Sequence, residues 1–394
     1  MTPESSPRSR PLTALMRGRS SHTDSRVSFA ELFFDLVFVF AITQLSHYLL
    51  AHFTVLGAVQ MLMLSLAVWW QWTYTAWVTN WLNPEKPAVR LMLMGLMLLG
   101  LVLSTSIPEA FGAKSWLFGA GMAAMHLFRT CFALWALRGS GQQANMTRIL
   151  AWGLPYALLW VLGGLAEGQT RMLWWTLALL QGYLAGWVGF YTPGLGRSST
   201  REWDVSGEHM AERAGLFVIV ALGESIMVSG ATFSDLTPGV WSTLAMFAAF
   251  AGTVAMWWIY FVANAQAGNT TMQVTDDAGR LARSVYTYIH ILIVLGIILT
   301  AVGDEFLLTH PGDAVTPHVA LSVIGGPALF LLGNLMFKTV VCGLPVSHLV
   351  GLGALGALAL GSGLMSTLTL ALLTVAALLV VAVWESRVTE RQLA

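Results

Sequence analysis

Long apolar stretches, each long enough to cross a bilayer, dominate this sequence and limit what it can fold into. A hydrocarbon core about 30 Å thick needs roughly 20 residues of helix at about 1.5 Å per residue. Twelve stretches qualify, at approximately residues 29–51, 55–81, 88–108, 115–138, 148–166, 171–191, 209–231, 238–264, 283–304, 318–337, 346–363 and 366–385. The predicted fold class is an all-α polytopic membrane protein with about 12 transmembrane helices.

The charge content agrees with this prediction. Charged residues make up 10% of the chain, whereas soluble proteins have about 25%. The 20 basic and 20 acidic residues cancel, so net charge does not indicate a nucleic-acid partner. Cys131 and Cys342 show no metal-site spacing, and we predict that both thiols are buried. The expected partners are the lipid bilayer and an unknown small molecule or ion, with no nucleic acid, no metal and no cofactor.

Positive charges predict the orientation of the helices, because short cytoplasmic loops carry the excess of Lys and Arg. With a cytoplasmic N-terminus, two basic residues, Lys114 and Arg171, fall on the outer side. Sixteen fall on the inner side: Arg8, Arg10, Arg17, Arg19, Arg26, Lys86, Arg90, Arg138, Arg148, Arg197, Arg201, Arg280, Arg283, Lys338, Arg387 and Arg391. Both termini are therefore predicted to be cytoplasmic.

The polar run "GRSSTREWDVSGE" divides the chain into two halves of six predicted helices each. The predicted units are a disordered cytoplasmic tail (1–28), a first six-helix half (29–191), a cytoplasmic linker (192–208), a second six-helix half (209–385) and a cytoplasmic C-terminal tail (386–394). The tail is predicted to be disordered because it is rich in Arg, Ser and Pro.

The two halves also resemble each other. "GLVLSTSIPEAF" from Gly100 aligns with "GIILTAVGDEFL" from Gly296, and the first helices align with Glu31 opposite Glu212. An even number of spans per half makes the repeats parallel, related by a pseudo-two-fold axis along the membrane normal. Substrate sites of transporters with such repeats lie at the interface between the halves.

Ionisable residues inside the predicted spans are the candidate functional groups, since they are costly in a membrane unless paired or hydrated. Glu31 and Asp35 share a face of the first helix, and Glu31 is close enough to its start to reach the lipid headgroups. By depth alone, Arg129 is the expected partner of one of them. The candidate substrate- or ion-binding residues are Glu31, Asp35, Arg129, His209, Glu212, Arg213 and Glu224. A static network that only fixes helix packing is the alternative interpretation.

Glu224 differs from the other candidates, because no basic residue is predicted at its level. It is therefore expected to be protonated, to face water or to hold a cation. His126 and His290, on mostly apolar faces, are expected to be hydrogen-bonded core residues. The tryptophans at the inner end of the second helix, Trp77 and Trp81, are expected to be interface anchors. No GxSxG, HExxH, P-loop or dinucleotide motif is present, so the chain is not expected to be an enzyme.

Two long motifs resemble a known family. "ELFFDLVFVFAITQLS" from Glu31 and "HMAERAGLFVIVALGESI" from His209 are similar to the paired hallmark of the bacterial low temperature requirement protein A family. The resemblance implies a multi-pass protein of the bacterial inner membrane, in a family named for a cold-growth phenotype, and it implies no substrate. The motif residues carried over are Glu31, Phe34, Asp35, His209, Glu212, Arg213, Gly223 and Glu224.

The first motif is also similar, in spacing, to the first-helix Phe-Ser-Asp motif of two-times-six-helix potassium channels, with Phe34 where that family has Ser. Three functions follow as hypotheses. The leading one is a secondary transporter coupled to protons or cations. The alternatives are a passive cation channel and a membrane-embedded enzyme or lipid-handling protein, for which His209 near Glu212 is the candidate reactive pair.

Overall fold

The computed structural model describes residues 15–18, 26–203, 205–262 and 277–393. These ranges contain twelve long helices and no β-strand. The helices are α1 (Phe29–Ala51), α2 (Val55–Trp81), α3 (Pro87–Ser106), α4 (Ser115–Ala136), α5 (Gln143–Leu165), α6 (Gly168–Trp187), α7 (Gly207–Asp235), α8 (Val240–Phe261), α9 (His290–Thr309), α10 (Pro317–Val341), α11 (Val346–Gly361) and α12 (Thr367–Leu393). A short helix, Ala278–Ala282, and a π-helix, Arg283–Ile289, lead directly into α9.

The all-helical prediction is confirmed, and eleven helices in the described part of the chain are long and apolar enough to cross a membrane. The exception is α6, which has 20 residues but does not reach the same hydropathy. Its sequence "GQTRMLWWTLALLQGYLAGW" begins with four polar or small residues and includes three tryptophans, which are amphipathic and not fully apolar.

The observed boundaries differ from the predicted ones at several ends. Helix α5 begins at Gln143, five residues before the predicted start, and α12 continues to Leu393 through most of the predicted C-terminal tail. The last two predicted spans, 346–363 and 366–385, meet at "GSGLMS", and the structure has two helices there with the 3₁₀ turn Ser362–Leu364 between them. Residues 1–14 and 19–25 of the predicted N-terminal tail, and Asn264 at the predicted end of α8, lie outside the described residues. The division into domains stays a prediction.

Polar capping residues set the starts of α1 and α7. Ser28 accepts a hydrogen bond from the Glu31 backbone N–H while the Glu31 side chain returns to the Ser28 N–H, which forms a capping box at α1. Ser206 caps α7 with its side-chain oxygen, which accepts a hydrogen bond from the His209 backbone N–H. We call the end of the bundle where α1 and α7 begin the tail face, because Leu15 to Gly18 pack there against the end of α2. The opposite end is the far face.

Corresponding helices pack against each other in the two halves. In the first half, the contacting pairs are α1–α2, α1–α3, α3–α4, α4–α5, α5–α6, α2–α4 and α2–α6. In the second half, the pairs include α7–α8, α7–α9, α9–α10, α10–α11, α11–α12, α8–α10 and α8–α12. Between the halves, α1 packs on α7 and α9, and α2 packs on the same two helices. The centre of the molecule is therefore the contact between α1 and α7.

Small residues allow α9 and α10 to approach closely. A Cβ atom added at Gly296 would lie 2.5 Å from the Phe330 backbone nitrogen, and one at Gly326 would lie 2.6 Å from the Thr300 nitrogen. Real Cβ atoms do not approach backbone so closely, so this crossing requires glycine. Close approach at small residues is typical of helix pairs in membranes.

The outer surface of the bundle is apolar, with Leu98 65% and Phe247 60% exposed. Such a surface is suited to lipid and not to water. Cys131 and Cys342 are both exposed, so the prediction of buried thiols is wrong. The reason is that an apolar outer surface accepts a weakly polar thiol as readily as an apolar core does.

Candidate functional site

Glu31 lies in a buried network at the tail face. Arg17 Nη2 donates to Glu31 Oε2 at 3.1 Å, and His209 Nε2 lies 2.9 Å from Glu31 Oε1. The other ring nitrogen of His209 lies 3.1 Å from Asn80 Nδ2. Because Glu31 is fully buried, the prediction that it reaches the headgroups is wrong. Residues 15–18 cover this end of α1, which the composition of the tail did not indicate.

Asp35 pairs with Arg213 one turn deeper along α1. Arg213 Nη2 donates to Asp35 Oδ1 at 2.9 Å, and the indole N–H of Trp72 donates to the same oxygen at 2.8 Å. The guanidinium also lies over the Trp72 ring, 5.6 Å from its centroid. Asp35 Oδ2 and the Nε and Nη1 atoms of Arg213 are buried without a hydrogen-bond partner among the described residues. The pair therefore joins the two halves but leaves hydrogen-bonding capacity unused.

Arg129 lies elsewhere, so its expected pairing with Asp35 or Glu31 is wrong. Its Nη1 donates to the Gln71 backbone oxygen at 2.9 Å and to Thr75 Oγ1 at 3.2 Å, and Nη2 lies 3.2 Å from His126 Nδ1. Helix α4 packs on α2, α3 and α5, all within the first half. Depth in the membrane is one coordinate only, and it does not give the direction in which a side chain points.

The prediction that two core histidines are hydrogen-bonded is confirmed for one of them and wrong for the other. His290 is satisfied as expected, with Tyr260 Oη 2.9 Å from Nε2 and the Val285 carbonyl oxygen 2.9 Å from Nδ1. His126 contacts Arg129 through Nδ1, but its Nε2 is buried without a partner in the described part of the chain. The expectation of a fully hydrogen-bonded core residue is therefore wrong for His126.

Glu212 is separate from the buried network. It is exposed at the tail face, where its Oε2 accepts a hydrogen bond from the Val27 backbone N–H at 2.9 Å. His209, one turn earlier on α7, contacts Glu31 instead. The candidate reactive pair of His209 and Glu212 is therefore not formed in this structure.

Glu224 connects α7 to α1 in the far half of the bundle. It is fully buried, and it accepts hydrogen bonds from Ser46 Oγ at 2.7 Å and from Thr43 Oγ1. Among the described residues, no Lys or Arg forms an ion pair with it, as expected from its depth. Both hydroxyl donors belong to α1, so Glu224 is held entirely across the interface between the halves.

Asp304 lies beside this site and was missed from the sequence. It is buried on α9, and Ser225, the residue after Glu224, donates to its Oδ2. Ser225 Oγ also lies 2.9 Å from Thr253 Oγ1 of α8. The sequence did contain a signal for this residue, because Asp304 belongs to the apolar run of α9. The adjacent acidic residue Glu305 made residues 304–305 resemble the polar end of a helix.

A second missed cluster lies at the tail face of the second half, between α10, α11 and α12. Lys338 Nζ and Ser347 Oγ both donate to the Glu385 carboxylate, and His348 Nδ1 lies 3.4 Å from it. Glu385 was placed at the very end of the last predicted span, where a carboxylate is expected to be hydrated. Its partners come from two other helices, so the cluster fixes the end of α12.

The contact between α1 and α7 therefore holds polar groups at two levels, separated by the apolar side chains of Phe38 and Phe217, whose ring centroids are 6.3 Å apart. The level near the tail face contains ion pairs, and the level near the far face contains the carboxyl groups of Glu224 and Asp304 with hydroxyl donors. Carboxyl groups in apolar surroundings bind protons or cations. This is the chemistry that the arrangement offers.

Comparisons with known proteins agree over nearly the whole length. The family model described as bacterial low temperature requirement A protein (LtrA) matches residues 26–383. An uncharacterized protein of Rhizobium meliloti (strain 1021) is 41% identical over 373 residues, which cover 93% of this chain and 91% of that protein. No solved structure matches the chain.

Proposed function

The chain belongs to the bacterial low temperature requirement A protein (LtrA) family and is a multi-pass membrane protein, and from this premise we propose that it is a secondary transporter. The transporter is coupled to protons or cations, resides in the bacterial inner membrane with both termini in the cytoplasm, and is not an enzyme. Its partners are the bilayer and a small molecule or ion.

The observation that carries the proposal is the environment of Glu224. A buried carboxylate without a basic partner is costly in the membrane unless it takes up a proton or a cation. Its two hydrogen-bond donors in the described part of the chain, Thr43 and Ser46, both lie on the other half of the molecule. A change in the charge of Glu224 would therefore act directly on the contact between α1 and α7.

The packing of the helices supports two parallel six-helix repeats. The pairs of helices that pack together in the first half recur, in the same order, in the second half. In transporters with parallel repeats, the halves rock against each other around a site at their interface. In this chain that interface is formed by α1 and α7 and contains Glu224, Asp35 and Arg213.

The ion pair of Asp35 and Arg213 near the tail face gives the second part of the proposed transport mechanism. Asp35 and Arg213 lie on opposite halves, so rocking that opens the tail face would separate two charges in a poorly hydrated environment. Entry of water or of a charged cargo would compensate for that cost. Arg129 stays within the first half and has no direct part in this step.

The test begins with a deletion strain, because the cargo is identified by the metabolites and ions whose cellular levels change and are restored by the wild-type gene. Glu224→Gln keeps the shape and the hydrogen bonds but cannot ionise. We expect this variant to lose at least 90% of the restoration and its dependence on external pH. Asp235→Asn, at the exposed end of the same helix, is the matched control and should restore fully. Full restoration by Glu224→Gln at every external pH would contradict the coupling.

The alternatives receive less support from the geometry. A passive channel needs a hydrated path, whereas Phe38, Phe217 and Trp72 fill the space between the two polar levels, with Trp72 and Phe217 rings 4.4 Å apart. Single-channel currents from purified protein in a planar bilayer would favour the channel. The enzyme hypothesis loses its candidate pair, because His209 contacts Glu31 and not Glu212.

A further inference from the structure

A small cavity lies inside the second half, where α8, α9, α10 and α12 meet. Its volume is about 30 Å³, and a buried water needs about 10–15 Å³ of such volume. Asp304, which lines the cavity, precedes the end of α9 at Thr309 by five residues, so the cavity lies about 8 Å inside the far end of that helix. The space fits about two waters, or one small ion with one water, and no organic ligand.

Asp304 gives this cavity its charge. It is 6% exposed, and in the described part of the chain its carboxylate has one hydrogen bond, which Ser225 donates to Oδ2. The described residues that line the cavity include no Lys, Arg or His. A carboxylate in such surroundings is costly unless it takes up a proton or a cation. The other carboxylate oxygen, Oδ1, is therefore available to a ligand.

Thr374 is an independent indication of a ligand. It lines the same cavity from α12 and is 3% exposed. Its Oγ1 is buried without a hydrogen-bond partner among the described residues, which is unfavourable for a hydroxyl. A hydroxyl oxygen has two lone pairs, so it can coordinate a cation that Asp304 attracts.

Pro327 interrupts the hydrogen bonding of α10 beside the cavity. Val323 and Pro327 both line the cavity, and Pro327 lies inside the helix. Because proline has no N–H, the Val323 carbonyl oxygen, four residues earlier, does not receive its usual helical hydrogen bond. Carbonyls released at interrupted helices coordinate Na⁺ in transporters. The hydroxyl of Thr300, which also lines the cavity, donates to the Gly296 carbonyl oxygen at 2.8 Å and keeps its lone pairs.

Another cavity, beside α2, lacks these groups. Its volume is about 50 Å³, its walls are almost wholly apolar, and no carboxylate is present among the described residues that line it. Trp77 and Trp81 belong to its wall and are 8% and 4% exposed, so the expectation that they are interface anchors is wrong. This second cavity has no means of holding an ion.

We propose that the cavity at Asp304 binds one Na⁺ ion that has lost most of its water. Hard cations take oxygen ligands, and oxygen donors are present on three of the surrounding helices. One carboxylate balances one positive charge, whereas a divalent ion would leave a buried charge uncompensated. The small volume and the carboxylate favour Na⁺ over the larger K⁺. As the identity of the coupling ion, this inference rests on the proposed transport function.

Ser225 connects the ion site to the contact between α1 and α7. It donates to Asp304, and it follows Glu224, which accepts hydrogen bonds from Thr43 and Ser46 of α1. Binding or loss of a cation at Asp304 therefore changes the charge beside the part of α7 that holds the two halves together. The two carboxylates are neighbours, but they face different helices.

Binding of radioactive Na⁺ to the purified full-length protein in detergent, with choline as the balancing cation, tests the proposal. Wild-type protein should bind about one ion per chain saturably, with competition by Li⁺ and at least tenfold weaker competition by K⁺. Asp304→Asn should weaken binding at least tenfold, and Thr374→Val, which keeps the shape but removes the hydroxyl, should weaken it severalfold. The matched controls are Glu305→Gln, the adjacent acid outside the cavity, and Thr369→Val, an exposed position of α12. Both should bind Na⁺ as the wild type does.

No saturable Na⁺ binding by wild-type protein, or unchanged binding by Asp304→Asn, would overturn the site. Loss of binding in Glu224→Gln with full binding in Asp304→Asn would place the ion at Glu224 and also overturn it. If Asp304→Asn does not fold, Thr374→Val and the competition between ions on wild-type protein still decide. Na⁺ that binds while uptake of cargo into proteoliposomes is the same in choline would contradict Na⁺ coupling and leave the site standing. Gradient-driven uptake without Na⁺ binding would remove the site and leave the proposed function intact.

Discussion

Asp35 and Arg213 are two fully buried side chains of opposite charge that do not use all of their hydrogen-bonding atoms. Removing each ion from water costs several kcal/mol, and attraction offsets this cost only when the geometry and the remaining hydrogen bonds are good. Here one carboxylate oxygen and two guanidinium nitrogens remain unpaired. An ion pair with three unpaired atoms contributes little to the stability of the fold. This fits a role in a contact between helices that must open.

We expect Arg213→Met to destabilise the protein by about 3–5 kcal/mol, because it leaves the Asp35 charge buried without a cation. The double variant Asp35→Asn with Arg213→Met should recover most of that loss, since no uncompensated charge remains. Thermal unfolding of the purified variants in detergent measures both. Glu85→Gln, in the exposed pair with Arg90, is the control, and a surface pair of this kind contributes about 0–1 kcal/mol. A double variant no more stable than Arg213→Met would contradict this account.

At the scale of helices, the backbones of α9 and α10 approach closely where they cross, and this approach depends on glycine. Gly326 faces the backbone of Thr300, and Gly296 faces that of Phe330. Backbone atoms cannot move aside as a flexible side chain can. The position of Asp304 is set by this crossing, since it lies on α9 two turns beyond Gly296.

Gly326→Ala is therefore expected to destabilise the fold by about 1–3 kcal/mol, the usual cost of overpacking, despite the higher helix propensity of alanine. Gly356→Ala on α11 meets no atom within 4 Å and serves as the matched control. It should leave stability unchanged or raise it by up to about 1 kcal/mol. Melting temperatures in detergent compare the two variants. Equal melting temperatures would show that α9 and α10 are not in contact at this point.

The helices could be predicted from sequence far better than their partners. Apolar length is enough to identify a span, because the requirement comes from the bilayer and not from the neighbours. Pairing depends on the direction of each side chain around its helix, and depth does not contain that information. This is why Arg129 was expected to pair with Asp35 or Glu31, although it contacts Gln71, Thr75 and His126. For the same reason Asp304 and the Lys338–Glu385 cluster were missed. The repeat predicted an interface between the two halves but not which helices form it, and the structure shows α1 and α7 in contact there.

For the molecule as a whole, the distribution of basic residues predicts the orientation in the membrane. A reporter that is active only in the periplasm should be active when fused after Glu109, Gly168, Ser234 or Gly312, all of which lie at the far face. The same reporter fused after Glu85, Gln142 or Ser199 should be silent, because these positions follow helices that end at the tail face. The physical reason is the sixteen-to-two division of positive charge.

Fusion after Ser199 is the most informative of these positions. It lies between α6 and α7, so an active reporter there would mean an odd number of crossings in the first half. The six-plus-six division, the parallel repeat and the interface between the halves would then all be wrong. Immunoblots of each fusion serve as the control for expression.

The spacing of the two polar levels has an electrical consequence. Arg213 and Glu224 are eleven residues apart on α7, which places them about 16 Å apart along the helix axis, about half of the 30 Å hydrocarbon core. A unit charge that moved between these levels would do work against about half of the membrane voltage, or about 1.2 kcal/mol per 100 mV. A cycle that uses both levels would therefore be electrogenic even for a neutral cargo, and an energised membrane would drive it in one direction.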